Sequence, residues 1–104
     1  MPHEKMVLLK QEEIRDYLSQ LKGWEFLDNP LTGSGQVKIT KEFKFEDFVK
    51  AMEFVNKIAA IAEQEGHHPD IAIYYNKVEI TFWTHFVKGL SENDFIMAAK
   101  IDNL

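Results

Sequence analysis

Three of the chain's four histidines fall within one stretch, "EQEGHHPDIAIYYNKVEITFWTHF", from Glu63 to Phe86. His67 and His68 are adjacent and lead into Pro69, while His85 closes a run that reads as strand. Imidazole titrates near neutrality, so base and acid forms coexist in ordinary buffer. Neighbouring imidazoles disfavour double protonation, so one tends to serve as base while another serves as acid. That suits proton shuffling, as in dehydration or tautomerisation. Three histidines and a carboxylate could equally bind zinc or iron. Adjacent histidines are awkward as joint ligands of one ion, because their side chains leave the backbone in different directions.

Each residue also has a plainer reading. His67 and His68 could be solvated loop residues and His85 an exposed strand end. Two features count against this for the pair. Pro69 stiffens the connection, and connections at the ends of rigid elements favour site residues. Asp94, three residues after Ser91, fits the N3 carboxylate of a capping box, a role compatible with orienting a histidine. Trp83 suits a core position, an interface, or a flat wall for a planar ligand. The sequence has no HExxH, GxSxG, phosphate loop or dinucleotide fingerprint, and no cysteine for a nucleophile, disulfide or thiolate site.

The elements that must bring these residues together can be read from periodicity. "LLKQEEIRDYLSQLKGW" predicts an amphipathic helix with Ile14, Tyr17, Leu18 and Leu21 on one face and Gly23 as its stop. Two strand-like runs then flank the loop "DNPLTGSG", with a bulge expected near Thr40 and Lys41, where alternation breaks. "EDFVKAMEFVNKIAAIAEQEG" predicts the strongest helix, with Phe48, Val49, Met52, Val55, Ile58, Ala59 and Ala62 as an apolar stripe and Gly66 as C-cap. "DIAIYYNKVEITFWTH" predicts a hairpin turning at Asn76–Lys77, its last strand running to His85. Val78, Ile80, Phe82 and Thr84 would share one face, and Glu79, Thr81, Trp83 and His85 the other. The two ends of a hairpin lie side by side, so His68 and His85 should meet at one sheet edge. "SENDFIMAAKIDNL" predicts a last helix capped by Ser91. The expected fold is α+β, a two-layer sandwich: a four-stranded antiparallel sheet with helices on one face, in the order α-β-β-α-β-β-α.

The 104 residues suit a single domain spanning 1–104, and a hydrophobic fraction of 45% with 28% charged residues is that of a soluble globular chain. The net charge of −5, without a basic stripe, argues against direct nucleic-acid binding. No signal peptide or membrane span is expected, which points to the cytoplasm, or also the nucleus in a eukaryote.

These motifs resemble the pterin-4a-carbinolamine dehydratase family. The likeness rests on "EGHHP", "YNKVEITFWTH" and "GLSENDF", supported by "GW" at Gly23–Trp24 and "FKFEDF" at Phe43–Phe48. The family's His-His-Pro, Thr-His, Gly-Leu-Ser/Thr and Asp fall on His67, His68, Pro69, Thr84, His85, Gly89, Leu90, Ser91 and Asp94. Ile71 departs from the Trp of many animal members, and the first hairpin loop looks longer than usual.

The resemblance implies dehydration of a 4a-hydroxytetrahydropterin to quinonoid dihydropterin and water, as in tetrahydrobiopterin recycling, with no metal or other cofactor because the pterin is itself the substrate. It implies His67, His68, His85 and Asp94 as catalytic residues, with Glu63 orienting an imidazole. It leaves open which histidine is the acid and which the base. Gly66, His67, His68, Pro69, Trp83, Thr84, His85 and Phe86 would line the substrate. The helix from Asp47 to Glu65 has enough apolar positions to serve both core and interface, so a homodimer or homotetramer is expected. An aromatic amino acid hydroxylase or a transcription factor is the kind of protein partner expected. A non-catalytic binding scaffold of the same fold is the alternative, and a metal hydrolase built on the histidines is a third reading.

Overall fold

The computed structural model describes residues 7–28 and 37–104. Helix α1 spans Gln11–Ser19, strands β1 and β2 span Glu25–Asp28 and Val37–Lys44, and helix α2 spans Phe48–Glu65. Strands β3 (Asp70–Tyr74) and β4 (Lys77–Phe82) follow, then helix α3, Glu92–Asp102. The sheet is antiparallel with strand order β1-β2-β4-β3. The expected class and element order are therefore observed. Most of the "DNPLTGSG" loop and the first residues of the chain lie outside the described residues.

Strand alternation decides which face is buried. Ile39 from β2 and Val78, Ile80 and Phe82 from β4 are wholly buried. Against them pack Ile14 of α1, Ala51, Ile58 and Ala62 of α2, and Phe95, Met97, Ala98 and Ile101 of α3. Each large aliphatic or aromatic side chain so buried contributes about 1.5–3 kcal/mol. Trp24 closes one end of this core, packing edge-on to Phe43 and tilted to Phe82.

Several local expectations are corrected. No bulge interrupts β2, whose pairing with β4 runs unbroken from Ile39↔Phe82 to Lys44↔Lys77. The break in alternation has another cause. Lys41 occupies a core-facing register opposite Ile80, and its ammonium reaches past Phe43 to Asp102 at 2.9 Å. Asp102 also accepts the indole N–H of Trp24. The first helix starts at Gln11 rather than Leu8, because the Leu9 N–H is committed to the Leu90 carbonyl.

The apolar stripe of α2 is split. Its core face is Ala51, Ile58 and Ala62, while Phe48, Val49 and Ala59 are exposed. The hairpin turns at Tyr75–Asn76, one residue early, with Tyr75 in the left-handed region. Asn76 is used otherwise: its amide donates to the Phe45 carbonyl, and its own carbonyl accepts the Phe45 N–H. Finally, β4 ends at Phe82. The chain then makes an isolated bridge, Thr84 to Gly89, around a turn of residues 85–88. His85 stands on that turn, not on the strand.

Candidate active site

The site is assembled by three chain reversals. Asp47 accepts the Lys50 N–H to start α2, and Gly66 ends it in the left-handed region with φ of 65°. A Cβ is disfavoured in that backbone, which explains glycine there. The chain can then turn at once through His67, His68 and Pro69 into β3. The β3–β4 hairpin returns it, with Asp70 opposite Thr81. The bridged turn after β4 finally brings Trp83, Thr84, His85 and Phe86 beside the histidine pair.

A cleft of about 330 Å³ results, lined by Gly66, His67, His68, Pro69, Asp70, Trp83, Thr84, His85 and Phe86. That volume is at the lower end for small-molecule sites. Every residue expected to line a substrate is on this cleft. Asp70 was missed, although its place directly after His-His-Pro and at the head of β3 could have suggested it.

The three imidazoles have different environments. His67 is buried, lies flat against Phe82 with the rings 7° apart, and meets Asp94 through Nε2–Oδ1 at 2.6 Å. Asp94 is wholly buried on the first turn of α3. Its Oδ2 accepts the Thr84 hydroxyl at 2.7 Å and the Ser91 N–H at 2.9 Å. With two donors on Oδ2, the carboxylate acts as acceptor throughout, so His67 donates from Nε2. Thr84 gives its single hydroxyl proton to Asp94 and therefore accepts from Ser91 Oγ, 2.7 Å away. The capping and orienting readings of Asp94 are thus both fulfilled by one side chain. Thr84 borders the cleft with its polar side-chain atom fully engaged.

His68 is exposed and pairs with Glu63, also exposed, at 3.0 Å between Nε2 and Oε2. Glu63 and His68 lie on either side of the Gly66 turn, so the pair spans the end of the helix. His85 is exposed on its turn, with its ring centroid 3.7 Å from that of Trp83. Each imidazole is thus taken up by a different neighbour. Among the described residues, no three His, Asp or Glu side chains are grouped to hold a metal ion. No helix among them is long and apolar enough to cross a membrane.

Comparison with known proteins bears on this arrangement. The family model "Pterin 4 alpha carbinolamine dehydratase" matches residues 7–104. The chain belongs to this family. A Nitrosospira multiformis relative, provisionally named a pterin-4-alpha-carbinolamine dehydratase, is 48% identical over 96 residues, covering 92% of this chain and 78% of its own. A Brucella melitensis structure described as a transcriptional coactivator/pterin dehydratase superposes with a TM-score of 0.84. It is 36% identical and covers 93% of this chain and 97% of its own. A pterin dehydratase-like protein described as a RuBisCO assembly factor of the alpha-carboxysome superposes at 0.63. It is 26% identical and covers 78% of this chain and 87% of its own. The proteins this chain is similar to are thus described variously as a pterin dehydratase, a transcriptional coactivator and a RuBisCO assembly factor.

Proposed function

We propose that the protein dehydrates a 4a-hydroxytetrahydropterin to the quinonoid dihydropterin and water. The observation that carries this reading is the convergence of His67, His68 and His85 on one cleft in a chain of the dehydratase family. The reaction needs one proton delivered to the leaving 4a-hydroxyl as its C–O bond breaks, and one proton taken from a ring nitrogen. No metal or redox cofactor enters that balance. His68 and His85 are both exposed to the cleft and act as the acid–base pair across the flat heterocycle. His67, fixed by Asp94, positions the ring or assists from beneath, and Glu63 orients His68.

Positioned acid–base catalysis of this kind contributes about 10²–10⁴-fold. Stopped-flow measurement of carbinolamine dehydration tests the assignment. His68→Ala and His85→Ala should each lose most of the acceleration. Full turnover in both variants would sink it.

A second reading, action through protein contacts, is favoured by exposed apolar residues. Phe48 and Val49 of α2 are 47% and 62% exposed, and Tyr74 and Tyr75 at the hairpin tip are 60% and 68% exposed. We propose that these faces serve self-association or a protein partner alongside the catalytic cleft. Light scattering across a concentration series tests it. A monomer at every concentration would remove the self-association part.

A further inference from the structure

His67 and His68 are each held by a carboxylate carried on a helix. Among the described residues His85 has no such partner. Among the described residues its imidazole makes no hydrogen bond, and its contact is with the Trp83 indole, centroid to centroid 3.7 Å and tilted 40°. The indole is itself supported. Ile39 pairs with Phe82, so Lys38 of β2 and Trp83, just past the end of β4, are the next neighbours in that register, and Lys38 Nζ sits 5.0 Å from the Trp83 ring centroid. An ammonium at that distance over an indole is attracted by the ring's quadrupole. Backbone hydrogen bonds close the turn, the Val87 and Gly89 N–H groups donating to the Thr84 carbonyl and the Lys88 N–H to that of His85, with Lys88 in the left-handed conformation.

We propose that Trp83 is the positioning residue of His85, with Lys38 bracing the indole from the adjacent strand. The inference rests on the reading of His85 as an acid–base group. An exposed imidazole free to rotate would meet a bound substrate in many orientations. Packing against an aromatic plane narrows them, as the carboxylates do for the other two histidines. With a cation and an imidazole already against it, the indole supports the catalyst rather than stacking on substrate. Misplacement of a reacting group by an ångström is enough to cost about 10²-fold in rate, so loss of the indole should be felt mainly in kcat.

The experiment combines NMR and kinetics on the whole protein. The ring-carbon protons of His85, identified by their absence in His85→Gln, should show the upfield displacement that an indole ring current produces. Trp83→Leu should return them to the position of an exposed histidine and lower kcat by about tenfold or more with little change in KM. Trp83→Phe should restore most of both signals, and Lys38→Met should move them part of the way with an unchanged melting temperature. His85 resonances indifferent to Trp83→Leu would overturn the packing. Resonances that move while kcat holds, or a loss expressed mainly in KM, would overturn the positioning role. Failure of the reaction assignment looks different: the wild type itself would not dehydrate the carbinolamine.

Discussion

His67 donates from Nε2 to Asp94 Oδ1 at 2.6 Å, and both side chains are buried. Asn in place of Asp94 has one oxygen where the carboxylate has two. If that oxygen keeps the Thr84 and Ser91 donors, the amide NH₂ faces His67 and forces the ring proton onto Nδ1. The equivalent change in serine-protease triads costs about 10⁴-fold through the wrong tautomer. Asp94→Asn should therefore lower kcat by about 10²-fold or more. It should also destabilise the fold by about 1–3 kcal/mol, the cost of a mispaired buried polar group. Denaturant titration beside turnover measures both.

Among the described residues the Thr84 hydroxyl is the only side-chain donor on Asp94 Oδ2, and it links that carboxylate to Ser91 Oγ. Thr84→Val keeps the shape, removes the donor, and leaves both Asp94 and Ser91 short of a partner. A loss of about 1–3 kcal/mol is expected. Thr84→Ser restores the hydroxyl and should recover most of that, apart from the missing methyl group. Equal stabilities for the Val and Ser variants would contradict the network.

Stability should separate the three histidines even where activity does not. His68 and His85 are exposed, and the His68–Glu63 pair lies in solvent, where such pairs contribute at most about 1 kcal/mol. Alanine at either position should leave the melting temperature nearly unchanged. His67 is 6% exposed and supports both Phe82 and Asp94. His67→Ala empties that space and strands a buried carboxylate oxygen, so it should cost about 2–4 kcal/mol. Thermal melts of the three single variants decide this.

The meeting of the histidines was legible because its determinants are local. Gly66 stops a helix, Pro69 cannot extend one, and alternation in "KVEITF" marks a strand with a defined inner face. The packing of side chains across elements was not legible. Lys41 breaks the strand pattern because its partner, Asp102, arrives from the far end of the chain. Trp83 and His85 extend the period-two pattern beyond Phe82. The strand nevertheless stops there, because Thr84 turns to bridge Gly89 and its hydroxyl is drawn to Asp94. The Lys38–Trp83 contact needs the strand register, which no local motif encodes. The family resemblance supplied Asp94 as a site residue. The structure adds that its cap and its histidine use different oxygens.

Asn93 lies one residue before Asp94, wholly buried, and among the described residues neither atom of its amide has a hydrogen-bond partner. An unpaired buried polar group costs about 1–3 kcal/mol, and an apolar group of similar shape can remove that cost. Asn93→Leu should therefore be neutral or stabilising in denaturant titration. A loss above about 1 kcal/mol would mean that the amide is satisfied by an internal water.

At the end of α2, two residues before the histidine pair, Glu65 accepts the Lys100 ammonium of α3 at 2.7 Å. That hydrogen bond holds the Glu65 carboxyl below the ordinary glutamate range; desolvation opposes it, and the lysine charge adds a lesser effect in the lowering direction. The sign of the linkage follows. A carboxyl whose value is depressed by folding binds its proton more readily in the unfolded chain. Its contribution is therefore present above the unfolded value, near 4.3, and is lost as pH falls through the lower folded value. Lys100→Met removes the donor and should lower stability above about pH 5 by a small, solvent-screened amount, flattening this part of the acid limb of the stability curve. Urea midpoints taken between roughly pH 3 and pH 6 would show the wild-type and variant curves converging at the acid end. Parallel curves across that window would mean that Lys100 does not tie the histidine-bearing end of α2 to α3.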